Sequence, residues 1–200
     1  MARAFLRFCG VAAVCALAFG AANQDKSYAS LLTGGYCPGG TQAFAQFGDH
    51  RYYVFAPNGG LEQGSYGWSL SGGASVVSGN ESYYLHSRYD THSLSLPKGA
   101  SATTPAMCMG TSSTIIRFVF KGGSNLHVQV VERNLLGLVI GILDWTTING
   151  TSSWQPSPTI VNLDALLGLV GASSVQLRFT ALDSPSAVDD VFVDPIASSD

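Results

Sequence analysis

Hydrophobic and polar residues alternate in short blocks along this chain, and turn residues separate the blocks. In "LHVQVVER" (Leu126–Arg133), Leu126, Val128 and Val130 fall on one face of a strand and His127 and Gln129 on the other, because successive strand side chains point to opposite faces. "VQLRFTA" repeats the pattern, with Val175, Leu177 and Phe179 inward and Gln176, Arg178 and Thr180 outward. "TIIRFVF" (Thr114–Phe120) is β-branched and aromatic with little polar interruption, which predicts a strand buried on both faces. Shorter strands are predicted at Tyr52–Ala56, Trp68–Leu70, Ala74–Val77 and His92–Pro97, with "PNGG" after Ala56 as a turn. Arg133-Asn134 predicts a turn into "LLGLVIGIL" (Leu135–Leu143), an antiparallel hairpin partner whose continuous apolar character predicts burial on both faces. "SSWQPSPTIVN" carries a strand broken by Pro156 and Pro158, and "DALLGLVG" (Asp164–Gly171) a short helical turn or loop. The last strand lies in "VDDVFVDP" (Val188–Pro195). No segment keeps helical periodicity over three turns, so the expected fold is all-β, a two-sheet antiparallel jelly-roll sandwich.

The first residues break this pattern. Arg3 and Arg7 precede an apolar and small-residue run, Phe8–Ala22, that ends in Gly20, Ala21 and Ala22. That is the layout of a cleaved secretory signal, and the run is shorter than the roughly 18–20 apolar residues that span a bilayer. Neither Cys9 nor Cys15 sits at the end of the run, where a lipidated cysteine would be expected. The expected organisation is therefore a signal peptide at 1–22, a lead-in at 23–51, a sandwich domain at 52–195 and a tail at 196–200.

Removing the signal leaves 8 basic and 13 acidic residues, a balance of −5. No basic patch remains that could neutralise many phosphates, which argues against nucleic acid as a partner. Only 12% of the whole chain is charged, about half the usual share, as suits short strands joined by tight turns. Two cysteines remain, Cys37 and Cys108. An even count in a secreted chain predicts a disulfide between them, tying the lead-in to the sandwich; the alternative is two unrelated buried thiols.

Three segments together resemble a known family. "NGGLEQGSYGW" (Asn58–Trp68), "THSLSLP" and "VQLRFTALDSPSAVDDVFVD" are similar, in that order, to the opening, middle and closing strands of carbohydrate-binding modules with a galactose-binding-like jelly roll. Trp154 falls where such modules often carry a tryptophan, and the closing strand also resembles that of MAM-type extracellular adhesion domains. The layout resembles many secreted bacterial proteins of uncharacterised function. Two departures stand out: Leu61 replaces an aromatic residue of the opening motif, and Asp183-Ser184 occupies the turn before the last strand. The resemblance implies a structural calcium ion held by Glu62 and Asp189, with Asp190 as neighbour. Calcium takes about six to eight oxygen ligands, and first and last strands are adjacent in such a sandwich. Strict alternation would send Asp189 and Asp190 to opposite faces unless the strand bends. The alternative is that the pair is solvated or caps backbone amides near the turn.

"SYYLHSRYDTH" (Ser82–His92) gathers Tyr83, Tyr84, His86, Tyr89 and His92 beside Arg88 and Asp90. Flat rings and a few polar groups are what a sugar site needs, although tyrosines also pack on a sandwich edge with wet hydroxyls. Trp145, at a strand end, is the tryptophan expected to be exposed, and Trp68 is expected in the core. His86 and His92 have no recognisable zinc spacing and no evident third ligand. Glu62, Glu81 and Glu132 have no spacing that pairs them for glycoside hydrolysis, and no G-x-S-x-G, H-E-x-x-H, P-loop or dinucleotide fingerprint is present. The sequence thus predicts a secreted, non-catalytic binding module for a carbohydrate polymer, in the extracellular space or cell envelope. The alternative is a structural or adhesion domain that binds protein.

Overall fold

The alternating segments pair as antiparallel strands in the computed structural model, which describes residues 39–108, 115–159 and 172–195. The signal segment 1–22, the lead-in up to residue 38 with Cys37, the 164–171 segment and the tail 196–200 lie outside the described residues. In chain order the strands are β1 (Val54–Phe55), β2 (Ser69–Ser71), β3 (Ser75–Ser78), β4 (His92–Leu96), β5 (Ser101–Thr103), β6 (Ile115–Gly122), β7 (Leu126–Arg133), β8 (Val139–Ile148), β9 (Gln155–Pro156), β10 (Ser174–Ala181) and β11 (Ser186–Asp194). They form two sheets. One runs β3-β4-β11-β6-β9 with β1 also on β11; the other runs β2-β5-β10-β7-β8. The fold is an all-β two-sheet antiparallel sandwich, as the alternation predicts. β5 has no counterpart among the expected strands; three small residues carry too little pattern to announce it.

The inner faces meet as predicted. Val128, Val130, Val175, Leu177 and Phe179 pack against Leu94, Leu96, Ile116, Phe118 and Phe120, and the Phe118 and Phe179 rings meet edge to face at 4.8 Å. Trp68 joins this core while its indole N–H donates to the Asn58 carbonyl at 2.9 Å. Leu61, where the resembling modules carry an aromatic ring, is also fully buried there.

The six-stranded sheet is covered on its other face too. Thr41 bridges Tyr53, and residues 41–49 bring Phe44 against Tyr53, Ile115 and Phe192 in a second, smaller core. Part of the expected lead-in is therefore packed onto the sandwich. This cover explains why Ile115–Phe120 is buried at every position, as the unbroken apolar run predicts.

Three expectations change. "LLGLVIGIL" is not doubly buried: β8 is an edge strand, and Leu135, Leu136, Leu138, Val139, Ile140 and Ile142 are exposed, Leu136 by 82%. An apolar run reports hydrophobicity but not the number of neighbouring strands, and among the described residues β8 has β7 alone as its neighbour in the sheet. Trp145, expected to be exposed, is half-buried against the main core instead.

The third change is in β11. Its pairing with β6 shifts register between Asp189 and Phe192, and Asp190 has φ +47°. A bulge inserts one extra residue and resets the alternation. Val188, Val191 and Val193 therefore all reach the main core, while Phe192 faces the smaller one. Asp189 and Asp190 do not take opposite faces; both end up fully buried beneath one loop.

Candidate functional site

That loop joins β3 to β4 through residues 79–91 without helix or strand. A loop of this length without regular structure is usually functional, and each buried amide in it needs an acceptor. Carboxylates supply them. Glu81 Oε1 accepts the Leu85 N–H at 2.7 Å, and Glu81 Oε2 accepts that of Tyr83. Asp189 Oδ2 accepts the Glu81 N–H at 3.0 Å, and Asp189 Oδ1 accepts the Asp190 N–H at 2.9 Å. Asp190 Oδ2 accepts the His86 N–H at 3.1 Å. At the far end Glu62 Oε1 accepts both the Thr91 and His92 amides at 2.7 Å, and its Oε2 accepts the Thr91 hydroxyl at 3.1 Å. An irregular segment is thereby held in one shape from both ends.

Glu81, Asp189 and Asp190 are 1% exposed or less. Burial pushes the Asp189 carboxyl well above the ordinary carboxylate range, and the charge of Asp190 adds to it. Burial raises Asp190 as well, helped by the charges of Glu81 and Asp90. Such a group is stable only if it shares protons or a cation. Glu62 behaves differently: burial would raise it, but the hydrogen bonds from Thr91 and His92 hold it below the ordinary value.

The aromatic residues of this loop divide into anchors and exposed rings. Tyr83 is an anchor: its hydroxyl donates to the Trp154 carbonyl at 2.7 Å, and its ring meets Phe47 edge-on at 4.8 Å. His92 lies against Glu62, Nδ1 to Oε2 3.2 Å. His86 stacks flat on Phe55, with centroids 3.8 Å apart and planes 4° from parallel, and places Nδ1 2.6 Å from Asp90 Oδ2. Tyr84 and Tyr89 are 57% and 83% exposed. The structure thus keeps Tyr83, Tyr84, His86 and Tyr89 on one loop, with His92 next to it as the first residue of β4. Trp145 belongs to β8, at the edge of the other sheet.

A calcium ion between Glu62 and Asp189 would have to share oxygens that already hold backbone and hydroxyl groups. Every carboxylate oxygen of these two already accepts a hydrogen bond. Asp190 differs, because its Oδ1 is buried and has no hydrogen-bond partner. The sequence named Asp90 only as a polar neighbour of the rings and Glu81 only as an unpaired acid, and gave neither a role in this site. Nothing in "GNES" or "RYDT" marks them; the only signal was the length of the loop itself.

A second charged group lies on the same outer face. Asp49 accepts hydrogen bonds from Tyr53 Oη at 2.7 Å and Arg117 Nη1 at 2.8 Å. Arg117 Nη2 donates to the Ser157 carbonyl at 2.8 Å, and its guanidinium lies 4.3 Å from the Phe44 ring centroid. This group closes the smaller core. Cys108 is partly buried against the main core, while Cys37 is outside the described residues.

No protein-family model and no curated protein sequence matches this chain. Solved structures do. The enzymatically active domain of tailspike protein 4 from bacteriophage CBA120 is similar with a TM-score of 0.53 and 14% identity, over 70% of this chain and 21% of that one. The CBM22-1 xylan-binding domain from Paenibacillus barcinonensis is similar with a TM-score of 0.46 and 14% identity, over 70% of this chain and 93% of that one. A CBM61 module solved with β-1,4-galactotriose gives a TM-score of 0.44 and 16% identity, over 68% and 94%. This chain corresponds to about a fifth of the tailspike's length, and at such identity the likeness is one of fold.

Proposed function

We propose that this protein is a secreted, non-catalytic module that binds a carbohydrate polymer on the 79–91 loop. The observation that carries the reading is a pair of exposed rings, Tyr84 and Tyr89, on an irregular loop whose amides are held by Glu62, Glu81, Asp189 and Asp190. Tyrosine offers a flat face at low conformational cost, and a loop already in its bound shape loses less entropy on binding. The carboxylates here hold backbone rather than pair across a cleft, so they support binding and not hydrolysis. With the signal removed, the balance of −5 favours neutral over anionic polysaccharide. The secretory start and a Cys37–Cys108 disulfide belong to the same proposal; intact mass under non-reducing conditions should show the loss of two thiol hydrogens.

The test is retention on neutral polysaccharides and a glycan array. Tyr84→Ala and Tyr89→Ala should each weaken retention about ten-fold, since one well-stacked ring is worth about 1–1.5 kcal/mol, with the melting temperature unchanged. Equal retention by the double variant would remove the loop from the reading.

A second reading, a protein-binding adhesion domain, is favoured by the exposed apolar hairpin around Leu135, Leu136 and Leu138. A patch of this kind often marks a protein contact. Absence of glycan retention together with concentration-dependent association, relieved by Leu136→Ser, would select it.

A further inference from the structure

The orphaned oxygen of Asp190 points to a site that the calcium expectation does not contain. We propose that His86, Asp90 and Asp190 bind a single divalent ion of the zinc type. One ligand atom from each lies within 4.8 Å of the others. Asp190 is 0% exposed, and its Oδ1 receives no N–H or hydroxyl donor; the groups that face this carboxylate are other acids, Glu81 and Asp90, so the oxygen has left water for a cluster of like charge. Such a loss costs free energy unless a proton or a cation restores it.

That oxygen and the Asp90 carboxylate lie beside the same glycine. A Cβ added at Gly60 would stand 3.0 Å from Asp190 Oδ1 and 3.5 Å from Asp90 Oδ2. Both carboxylates therefore converge beside a backbone that carries no side chain. The third ligand is also fixed in direction: the imidazole stacks on Phe55 and turns Nδ1 toward Asp90. A zinc ion with bonds of about 2.0–2.2 Å would sit between these atoms after a small opening of the His86–Asp90 contact.

The donor set chooses the metal. One imidazole nitrogen and two carboxylate oxygens suit a borderline ion with few ligands, whereas calcium asks for six to eight oxygens. Three protein ligands leave zinc a fourth position. His86 has a side chain 41% exposed, so that position opens to solvent on the side of the exposed loop. The backbone N–H of His86 on Asp190 Oδ2 orients the buried ligand from its second oxygen, as outer contacts do in metal sites.

The experiment uses the chelator-stripped full chain, titrated with zinc, manganese or calcium chloride by calorimetry and thermal melting. One equivalent of zinc should bind and raise the melting temperature by several degrees. His86→Ala and Asp90→Asn should each weaken zinc affinity at least about ten-fold without lowering the metal-free melting temperature appreciably. Both residues lie on the loop, so neither variant cuts into β11. No saturable zinc binding, zinc binding unchanged in both variants, or a calcium-induced shift that survives His86→Ala would each overturn the proposal. Glycan retention measured in chelator keeps this outcome separate from that of the carbohydrate reading.

Discussion

Asp49 accepts hydrogen bonds from Tyr53 and Arg117 at a point where neither charge has much water: the Arg117 and Asp49 side chains are each 8% exposed. Removing one partner strands the other. Asp49→Ala should therefore cost about 3–5 kcal/mol in a urea unfolding experiment, a loss too large for a surface pair. Burial alone would raise the Asp49 carboxyl, but the hydrogen bonds from Tyr53 and Arg117 outweigh it and hold the group below its ordinary value. A lowered folded-state value means the stabilisation is complete above the unfolded carboxylate range and is lost as pH falls through it. The wild type should lose stability between about pH 5 and pH 2 more steeply than Asp49→Asn. Gly59 makes a different kind of point. A Cβ there would stand 2.7 Å from the Val191 carbonyl oxygen, so Gly59→Ala should cost about 1–3 kcal/mol through backbone displacement, read as a lower urea midpoint. Neither role was legible in the sequence. Asp49 lies in the expected lead-in, and Gly59 reads only as part of a turn.

β11 and β8 show what a local pattern can and cannot carry. The spacing of Val188, Val191 and Val193 holds a trace of the bulge, because residues three apart cannot share a face of a regular strand. Strict alternation missed it, and the two aspartates were separated when the fold unites them. β8 failed in the opposite sense: its apolar content was legible, its place at the sheet edge was not. A long, exposed, apolar edge strand promotes association. Ile140→Lys should therefore reduce concentration-dependent light scattering, while the unfolding free energy stays within about 0.5 kcal/mol of wild type. Retained scattering with a stable fold would show that the edge is not the contact.

For the molecule as a whole, a Cys37–Cys108 bridge would close a long loop across the sandwich. Cys108→Ser should then lower stability by about 4 kcal/mol, with the same loss on reducing the wild type; equal stability of all three states would show that no bridge contributes. The sequence by itself determined the all-β class, the inward faces of β7 and β10 and the double burial of β6, because hydrophobic alternation is a property of neighbouring residues and needs no partner to be read. It also placed the aromatic loop that the binding proposal uses. Only the tertiary structure decided which carboxylates serve which amides. The Glu81 amide and the Asp189 carboxylate lie 108 positions apart in the chain, and Asp190 meets His86 across 104. Contacts of that span depend on the order of strands in the sheet and on one extra residue in β11. The strand order has no local signature and the bulge only the faint one in the valine spacing, so the sequence did not show that Glu62 serves the amides of Thr91 and His92.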